Sequence, residues 1–319
     1  MAALPSPSRK RWSWRSQAVR GLAWQVLLLA LLALLLWFLA GNIARNMAQR
    51  GIQSGFDFLL QPAGFEIGEG LFGFEASQAY WLAFLTGLGN TLRTALVGSV
   101  LATVLGTALG IGRLSRSALL RGLCASYVEL FRNIPLLLQL LMWYLLLAEA
   151  LPAFDAPGRL GVLTLSKSGL VWQATTDAEP LFTLSPEFLA LTLGLSLYTA
   201  AFIAEVVRAG ITAVPRGQSE AAAALGLNQH QAMRRVVLPQ ALRVIIPPLT
   251  NQYLNLSKNS SLAVAIGYPD VVSIANTAIN QTGRAVECLL IVMAIYLCLS
   301  LATSLLMNVY NARVALKER

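Results

Sequence analysis

Residues 215–239, PRGQSEAAAALGLNQHQAMRRVVLP, form a basic, alanine-rich segment that separates two long apolar stretches of the chain. Each of those stretches is long enough to cross a bilayer as a helix. Charged side chains are costly inside the hydrocarbon core, so the segment between the two stretches is predicted to lie in water at one membrane surface.

The first half of this segment has the start and stop signals of a short helix. Ser219 is a suitable N-cap, and Glu220 follows it at the positively polarised start of a helix. A helix is therefore predicted over residues 221–225. Gly226 then supplies the left-handed residue at which helices commonly end.

The second half has the signals of another helix. Asn228 is predicted to be its N-cap, with Gln231 as the reciprocal partner in a capping box. This helix is predicted to run to Pro239, which opens the next apolar stretch. The apolar side of the pair consists of Leu225, Leu227, Met233 and Val237. Apolar surface held in water beside a membrane usually marks a docking site, so the helix pair is expected to bind a partner.

The same letters also match the spacing of a DNA-binding helix-turn-helix, with Ala222, Gly226 and Ala232 at its small-residue positions. That interpretation requires room for a dimer that spaces two half-sites along the DNA. The apolar stretches adjoin the segment on both sides and leave no such room. Nucleic acid is therefore not an expected partner, despite the formal charge of +9.

Composition places the chain in a membrane. Hydrophobic residues make up 56% of its 319 residues, charged residues make up 12%, and the mean hydropathy is +0.62. These values are too apolar for one soluble domain. The sequence predicts an all-α integral membrane protein with six transmembrane helices. The predicted spans are 22–40, 80–112, 119–150, 187–212, 241–266 and 286–312.

The charges between the spans predict the topology. Basic residues without acids precede the first span and follow the second, whereas the loops over 41–80 and 151–186 are net acidic. Because basic loops stay in the cytoplasm, both termini are predicted to lie there. A cleaved secretory signal is the alternative for the first span, but that run is too long and lacks a clean cleavage site.

Three further features concern the packing of the spans and their loops. Gly106 and Gly110 form a GxxxG pair that lets another helix approach closely, either within one subunit or between subunits. Residues 151–186 form a long loop with strand-like letters, which predict a small hairpin that binds a soluble partner or acts as a lid. The fifth span contains Pro247-Pro248, which is expected to break it.

Side chains for catalysis or for holding a cofactor are missing from the pattern. None of the lysines follows a glycine, as the phosphate-binding loop of a nucleotide hydrolase requires. The cysteines, Cys124, Cys288 and Cys298, have no metal-ligand spacing, and His230 is the single histidine. The chain is therefore predicted to be a non-enzyme with no metal site and no cofactor, so a separate subunit must supply any ATP hydrolysis.

A family resemblance is carried by the same segment. Glu220-Ala221-Ala222, then Gly226, then Val236-x-Leu238-Pro239 resembles the EAA loop of permease subunits of bacterial ATP-binding-cassette importers, with valine for isoleucine as the one departure. The resemblance covers residues 85–308 and implies a type I permease domain there. Residues 1–84 are then a cytoplasmic N-terminus, the first span and a periplasmic loop, and residues 309–319 are a cytoplasmic C-terminus.

Other runs resemble the polar amino-acid branch of that family. They are Gly89-Asn90-Thr91-Leu92, the run over 131–139, the run over 204–208, the run over 247–252 and the run over 256–270. The last run is most similar to permeases for general L-amino-acid uptake and for glutamate, glutamine, aspartate and asparagine uptake. The resemblance therefore implies an L-amino-acid importer in the bacterial inner membrane, either general or of that narrower kind. A membrane scaffold without transport is a further alternative.

The resemblance also implies partners. A dimer of ATPase subunits would receive the EAA helix pair, and a second permease subunit, expected to be a paralogue, would complete the path through the membrane lipids. A periplasmic amino-acid-binding protein would deliver the L-amino-acid substrate. The residues implied in ATPase coupling are Glu220, Ala221, Ala222, Gly226, Arg234 and Arg235. Glu220 would act through its charge, the two alanines through close approach, and Gly226 through the angle between the helices.

A substrate path is predicted on the fifth span. Asn251, Asn255 and Lys258 recur at helical spacing and share one face. A lysine at that depth is costly unless it faces water, a partner or substrate. Lys258 is therefore expected either to bind a substrate carboxylate or to form a structural pair with Glu205 or another acid.

The third and fourth spans contain further polar residues. Gln139 follows a proline bend that is typical of a gate region in the resembled family, and it is expected to line the path. Two ion pairs at helical spacing are also predicted, Glu129 with Arg132 and Glu205 with Arg208.

Overall fold

The computed structural model describes residues 17–49, 51, 54–70, 73–153, 156–172 and 182–314. The chain divides into two compact units, Met1–Gly55 and Phe56–Arg319. The basic termini over 1–16 and 315–319, and the loop acids Asp155, Asp177 and Glu179, lie outside the described residues. Their contributions to the topology therefore stay predictions.

The first unit contains one long apolar helix, α1 (Gln17–Gln49), which includes the predicted first span. The second unit is a helical bundle with a small sheet. Its helices are α2 (Tyr80–Gly112), α3 (Ala118–Asn133), α4 (Leu136–Ala150), α5 (Pro186–Thr212), α6 (Arg216–Ala224), α7 (Gln229–Ala232), α8 (Leu238–Asn259), α9 (Val271–Thr282) and α10 (Ala285–Val314). The short helical turns are a 3₁₀ turn at Asp57–Leu60, a π turn at Met233–Val237 and a 3₁₀ segment at Ser260–Ile266.

Four described helices, α1, α2, α5 and α10, are each long and apolar enough to cross a membrane. Two bent pairs bring the number of spans to six if each pair counts as one span. These are α3 with α4, bent by 105°, and the helix through α7 and α8 with α9, bent by 48°. The predicted third span is thus two helices, because Pro135 disfavours helical backbone at Ile134, which is extended with ψ 130°.

The predicted break of the fifth span at Pro247-Pro248 is wrong, because α8 runs through both prolines. Both proline rings lie on the exposed side of α8, whereas Ile246 and Leu256 are buried. Packing of the buried side keeps the helix together despite the missing N–H groups, as is usual for prolines in membrane helices. The chain turns only at Gly267, which has φ 78°.

The centre of the bundle is the close packing of α2 on α5. A Cβ atom added to Gly106 would lie 2.7 Å from the Ile203 Cβ, and one added to Gly110 would lie 2.7 Å from the Ala204 carbonyl oxygen. Residue numbers rise together along the two helices, so the helices are parallel. The GxxxG pair therefore packs within one subunit.

The long loop contains an antiparallel sheet. Its strands, β1 (Gly158–Leu160), β2 (Leu163–Ser166), β3 (Gly169–Trp172) and β4 (Phe182–Leu184), pair in chain order. The predicted hairpin is confirmed as β2–β3 and extended by a strand on each side. The sheet leads directly into α5, whereas residues 215–239 follow the end of that helix. The sheet and this segment are thus separated by the 27 residues of α5, about 40 Å of helix.

Candidate functional site

The EAA segment, residues 215–239, begins where α5 ends. Its first helix, α6, begins at Arg216 with Pro215 as the N-cap residue, so the predicted N-cap at Ser219 is wrong. A proline is well suited to a helix start, because its fixed φ is compatible with helix and its missing N–H needs no partner there. Ser219 and Glu220 therefore lie about one turn inside α6, and both are exposed.

The turn between α6 and α7 has the predicted geometry. Gly226 has φ 76° and ends α6 in a Schellman motif, in which the Leu227 N–H donates to the Ala222 carbonyl at 3.1 Å. Asn228 and Gln231 form the capping box, with hydrogen bonds of 2.9 and 3.1 Å. The left-handed stop and the capping box are thus confirmed.

The second helix of the EAA segment does not end at Pro239 as predicted. The π turn Met233–Val237 joins α7 directly to α8, which has Pro239 in its first turn. A wider turn before a proline makes room for the proline ring, and it needs no hydrogen bond from the proline nitrogen, which carries no hydrogen. The EAA segment is therefore continuous with a membrane-crossing helix, so a displacement of α7 also moves α8.

Most residues implied in ATPase coupling lie on the open side of the EAA segment. The exposed ones are Glu220, Ala221, Gly226, Arg234 and Arg235. Ala222 is only 2% exposed, so it contributes to packing within the subunit. Leu225, on the predicted apolar side, is 82% exposed, whereas Val237 is buried. An apolar tip flanked by charges is thus left open at this end of the bundle.

Polar contacts hold the EAA segment against the bundle. Gln240 of α8 donates to Gln218 of α6 at 3.3 Å, and Arg116, in the turn after α2, donates to Gln229 of α7 at 3.2 Å. A neutral hydrogen bond contributes about 0.5–1.5 kcal/mol to stability, and one with a charged donor about 1.5–3 kcal/mol. The helix pair therefore touches α8 and the α2–α3 turn through contacts that are weak enough to rearrange.

A charged cluster lies near the ends of α2 and α5. The Glu205 carboxylate accepts hydrogen bonds from Arg208 at 2.5 and 3.1 Å, and it also binds Arg113. The predicted pair of Glu205 with Arg208 is confirmed. The alternative pair of Glu205 with Lys258 is wrong, because two arginines already occupy both oxygens of this carboxylate.

The predicted pair of Glu129 with Arg132 is also wrong. The Arg132 guanidinium lies over the Phe202 ring of α5, 5.2 Å from its centre, and Asn133 donates to the Glu129 carbonyl at 2.8 Å. An exposed pair at helical spacing contributes only about 0.2–0.5 kcal/mol. A cation–π contact with a neighbouring helix is worth at least as much, which accounts for the different partner.

Three predicted path residues share an open face of α8. Asn251, Asn255 and Lys258 are all exposed in the single subunit, while Ile245 and Leu256 on other sides of the helix are buried. Lys258 forms no ion pair with any described residue. This face therefore ends in an ammonium group that is free to meet something outside the subunit.

Gln139 lies elsewhere, inside the bend between α3 and α4. It is 2% exposed, and its Nε2 donates to the carbonyl oxygens of Phe131 and Ile134, each at 2.9 Å. Carbonyl groups at the end of a helix have no partner within the helix, so Gln139 satisfies two that α3 leaves open. The structure does not bring Gln139 onto the open face of α8, and its place in the path stays a prediction.

Replacing Gln139 by glutamate is expected to destabilise this bend. A carboxylate has nearly the same shape but cannot donate to either carbonyl, and the expected cost is about 1–3 kcal/mol. Thermal unfolding of the solubilised protein should show a lower midpoint. Gln231→Glu is the matched control, because glutamate serves equally well in the capping box. Equal midpoints for the two variants would contradict the bracing role of Gln139.

Sequence reasoning missed α9, although its signals are present. Asp270 is the N-cap, accepting a hydrogen bond from the Ser273 N–H at 2.8 Å, and Gly283 ends the helix with φ 70°. The contact of Glu69 with Arg93 was missed for another reason. Their 2.7 Å ion pair joins a loop to a helix, and no local pattern predicts it.

Comparisons with known proteins agree with this architecture. Residues 102–316 match the family described as binding-protein-dependent transport system inner membrane component. The general L-amino acid transport system permease protein AapQ of Rhizobium johnstonii is 41% identical, over 97% of this chain and 96% of its own. The glutamate/glutamine/aspartate/asparagine transport system permease protein BztB of Rhodobacter capsulatus is 36% identical, over 92% of this chain and 93% of its own.

A solved structure shares the fold. The crystal structure of an amino acid ABC transporter with histidines matches with a TM-score of 0.59 and 29% identity, over 73% of this chain and 95% of that chain. The expected family and the expected helical membrane fold are thereby confirmed, and the family match includes the whole EAA segment. This chain therefore belongs to the family of binding-protein-dependent transport system inner membrane components.

Proposed function

We propose that the chain is a permease subunit of an ATP-driven importer that moves L-amino acids from the periplasm to the cytoplasm by alternating access. In this proposal it is a multi-pass protein of the bacterial inner membrane. It pairs with a second permease subunit, a paralogue, and with a dimer of ATPase subunits. A periplasmic binding protein delivers the amino acid. The names of the full-length relatives support this assignment.

The observation that carries the proposal is the continuity of the open EAA segment with α8. Glu220, Arg234 and Arg235 are exposed, so they are available to charged groups on an ATPase surface. A motion received there passes through the π turn into α8, which bears the open polar face. ATP-driven movement of the EAA segment thus changes which side of the membrane the polar face of α8 opens to.

The polar face of α8 supports an amino-acid substrate. Lys258 can bind an α-carboxylate, and Asn251 and Asn255 can donate to or accept from polar side chains. An unpaired lysine in a membrane-crossing segment is expected to serve transport. Because this face is open in the single subunit, a second permease subunit is expected to complete the path.

Uptake of a labelled amino-acid panel tests the proposal. Vesicles would contain this chain with its co-purifying subunits, with and without ATP and the binding protein. Uptake of both polar and apolar amino acids that requires ATP is the expected result. Uptake limited to glutamate, glutamine, aspartate and asparagine would favour the narrower importer, as in the BztB relative. Uptake at the same rate with and without ATP, or no uptake at all, would exclude the coupled importer and favour a scaffold.

A further inference from the structure

A cavity of about 490 Å³ opens at the end of the bundle opposite the EAA segment. Four parts of the chain line it: the loop over 65–69, the β2–β3 turn, the start of α5, and the stretch over 267–277. Its volume lies within the range of about 300–1,000 Å³ that is usual for small-molecule sites. This cavity is separate from the open face of α8.

The lining of this cavity carries charges of both signs. Lys167 is exposed on the β2–β3 turn, and Glu66 and Glu187 present carboxylates from the loop and from the start of α5. None of these three forms an ion pair within the described part of the chain. Glu187 accepts one long hydrogen bond from Tyr144, at 3.4 Å. The lining hydroxyl groups are those of Ser168, Ser185, Ser273 and Thr277.

A buried ion pair forms the floor of the cavity. Glu69, which also lines it, binds Arg93 of α2 at 2.7 Å, and the two side chains are only 10% and 9% exposed. The Arg93 guanidinium lies 5.0 Å from the ring centre of Phe182 and 4.2 Å from that of Phe188. This pair neutralises Glu69 and joins the loop, the sheet, α2 and α5. The ion pair therefore braces the backbone segments from which Glu66 and Glu187 extend.

Asn90 joins the floor to the opposite wall. Its Nδ2 donates to the Glu69 carbonyl at 2.8 Å and to the Pro269 carbonyl at 2.9 Å. The Nη2 atom of Arg93 is buried and has no hydrogen-bond partner among the described residues. Arg93 itself does not line the cavity, so the guanidinium serves to hold Glu69 and the elements around it in place.

We propose that this cavity is a reception site for one free L-amino acid. The Lys167 ammonium faces the carboxylate of the substrate, and Glu66 or Glu187 faces the ammonium of the substrate. Every free α-amino acid carries both charges, so its binding site needs one group of each sign. The inference rests on the proposed function, in which this end of the bundle faces the periplasm. The amino acid released by the binding protein reaches this site before it reaches the open face of α8.

Equilibrium binding of tritiated L-glutamine and L-alanine to the permease–ATPase complex in lipid nanodiscs, without the binding protein, tests the site. All samples carry Lys258→Ala, which removes the ammonium of the predicted path. Saturable binding is expected, and Lys167→Ala and the double variant Glu66→Gln with Glu187→Gln should each raise the Kd about tenfold or more, the loss expected for one charge-assisted contact. Glu75→Gln removes an exposed carboxylate outside the cavity and should leave the Kd unchanged. N-acetylated glutamine lacks the ammonium and should not compete.

Three results would overturn the reception site: no saturable binding at millimolar amino acid, an unchanged Kd in Lys167→Ala, or full competition by N-acetylglutamine. Uptake driven by ATP is measured with the wild-type transporter and its binding protein as a separate assay. Uptake without binding at the cavity refutes the reception site and leaves the proposed function standing. Absence of uptake refutes the proposed function itself.

Discussion

Replacing Gly110 by leucine is expected to abolish the folded protein. The new Cβ would lie 2.7 Å from the Ala204 carbonyl oxygen and 2.8 Å from the Val207 Cβ. A side-chain rotation cannot relieve the first contact, because that oxygen belongs to the backbone of α5. The two helices must separate along much of their length. The cost is therefore expected to exceed the about 1–3 kcal/mol of ordinary overpacking.

Size-exclusion chromatography of a fluorescent fusion in detergent measures this effect as the loss of the monodisperse peak. Gly122→Leu is the matched control, because no atom lies within 4 Å of the Cβ position at Gly122 on α3. Gly110→Ala adds only the clashing Cβ and should also reduce the peak. A normal peak for Gly110→Leu would mean that α2 and α5 do not pack as described.

Replacing Gly226 by aspartate is expected to lower ATP-driven uptake about tenfold or more while the protein still folds. Gly226 has φ 76°, and a residue with a side chain pays about 1–2 kcal/mol for this left-handed backbone. No atom lies within 4 Å of its Cβ position, so the effect is not steric. The strain is relieved by changing the angle between α6 and α7, which displaces Glu220 and Arg234, the exposed charges proposed to meet the ATPase.

Two further variants separate strain from charge at this turn. Gly217→Asp adds the same side chain at an exposed position in the first turn of α6, where an acid is favourable, and it should transport normally. Gly226→Ala has no charge and no polar side chain to ease the left-handed backbone, so it should lose at least as much uptake as Gly226→Asp if strain is the cause. Vesicle uptake and ATP hydrolysis are measured together. Normal uptake by Gly226→Asp would contradict the role of this glycine in coupling.

The features that sequence reasoning predicted correctly depend on groups close together in the chain. Gly226 supplies a left-handed stop and Asn228 with Gln231 a capping box, because the groups that bond are at most a few residues apart. The pair of Glu205 with Arg208 is equally local. Four of the predicted spans, found as α1, α2, α5 and α10, follow from apolar length alone, because the thickness of the bilayer sets the length that a span needs.

Several of the features that were wrong or missed depend on groups far apart in the chain. Arg132 stacks on the Phe202 ring of another helix and forms no ion pair with its neighbour Glu129. Glu205 binds Arg113 from α2, which leaves Lys258 unpaired. Arg132 had a local and a distant candidate partner, whereas Glu205 binds its local partner Arg208 and the distant Arg113 together. Only the packing of the helices decides which distant groups come within reach.

The sequence by itself determined that this chain crosses a membrane several times, that it carries an EAA helix pair, and that it belongs with importer permeases. The length of an apolar span and the capping of a helix both depend on residues close together in the chain, so the sequence is enough to predict them. The tertiary structure alone decided that α8 continues through its prolines, that Gln139 braces a bend, and that Glu69 meets Arg93 beneath a charged cavity. Those outcomes depend on burial and on contacts between residues far apart in the chain, and a local sequence pattern does not predict either.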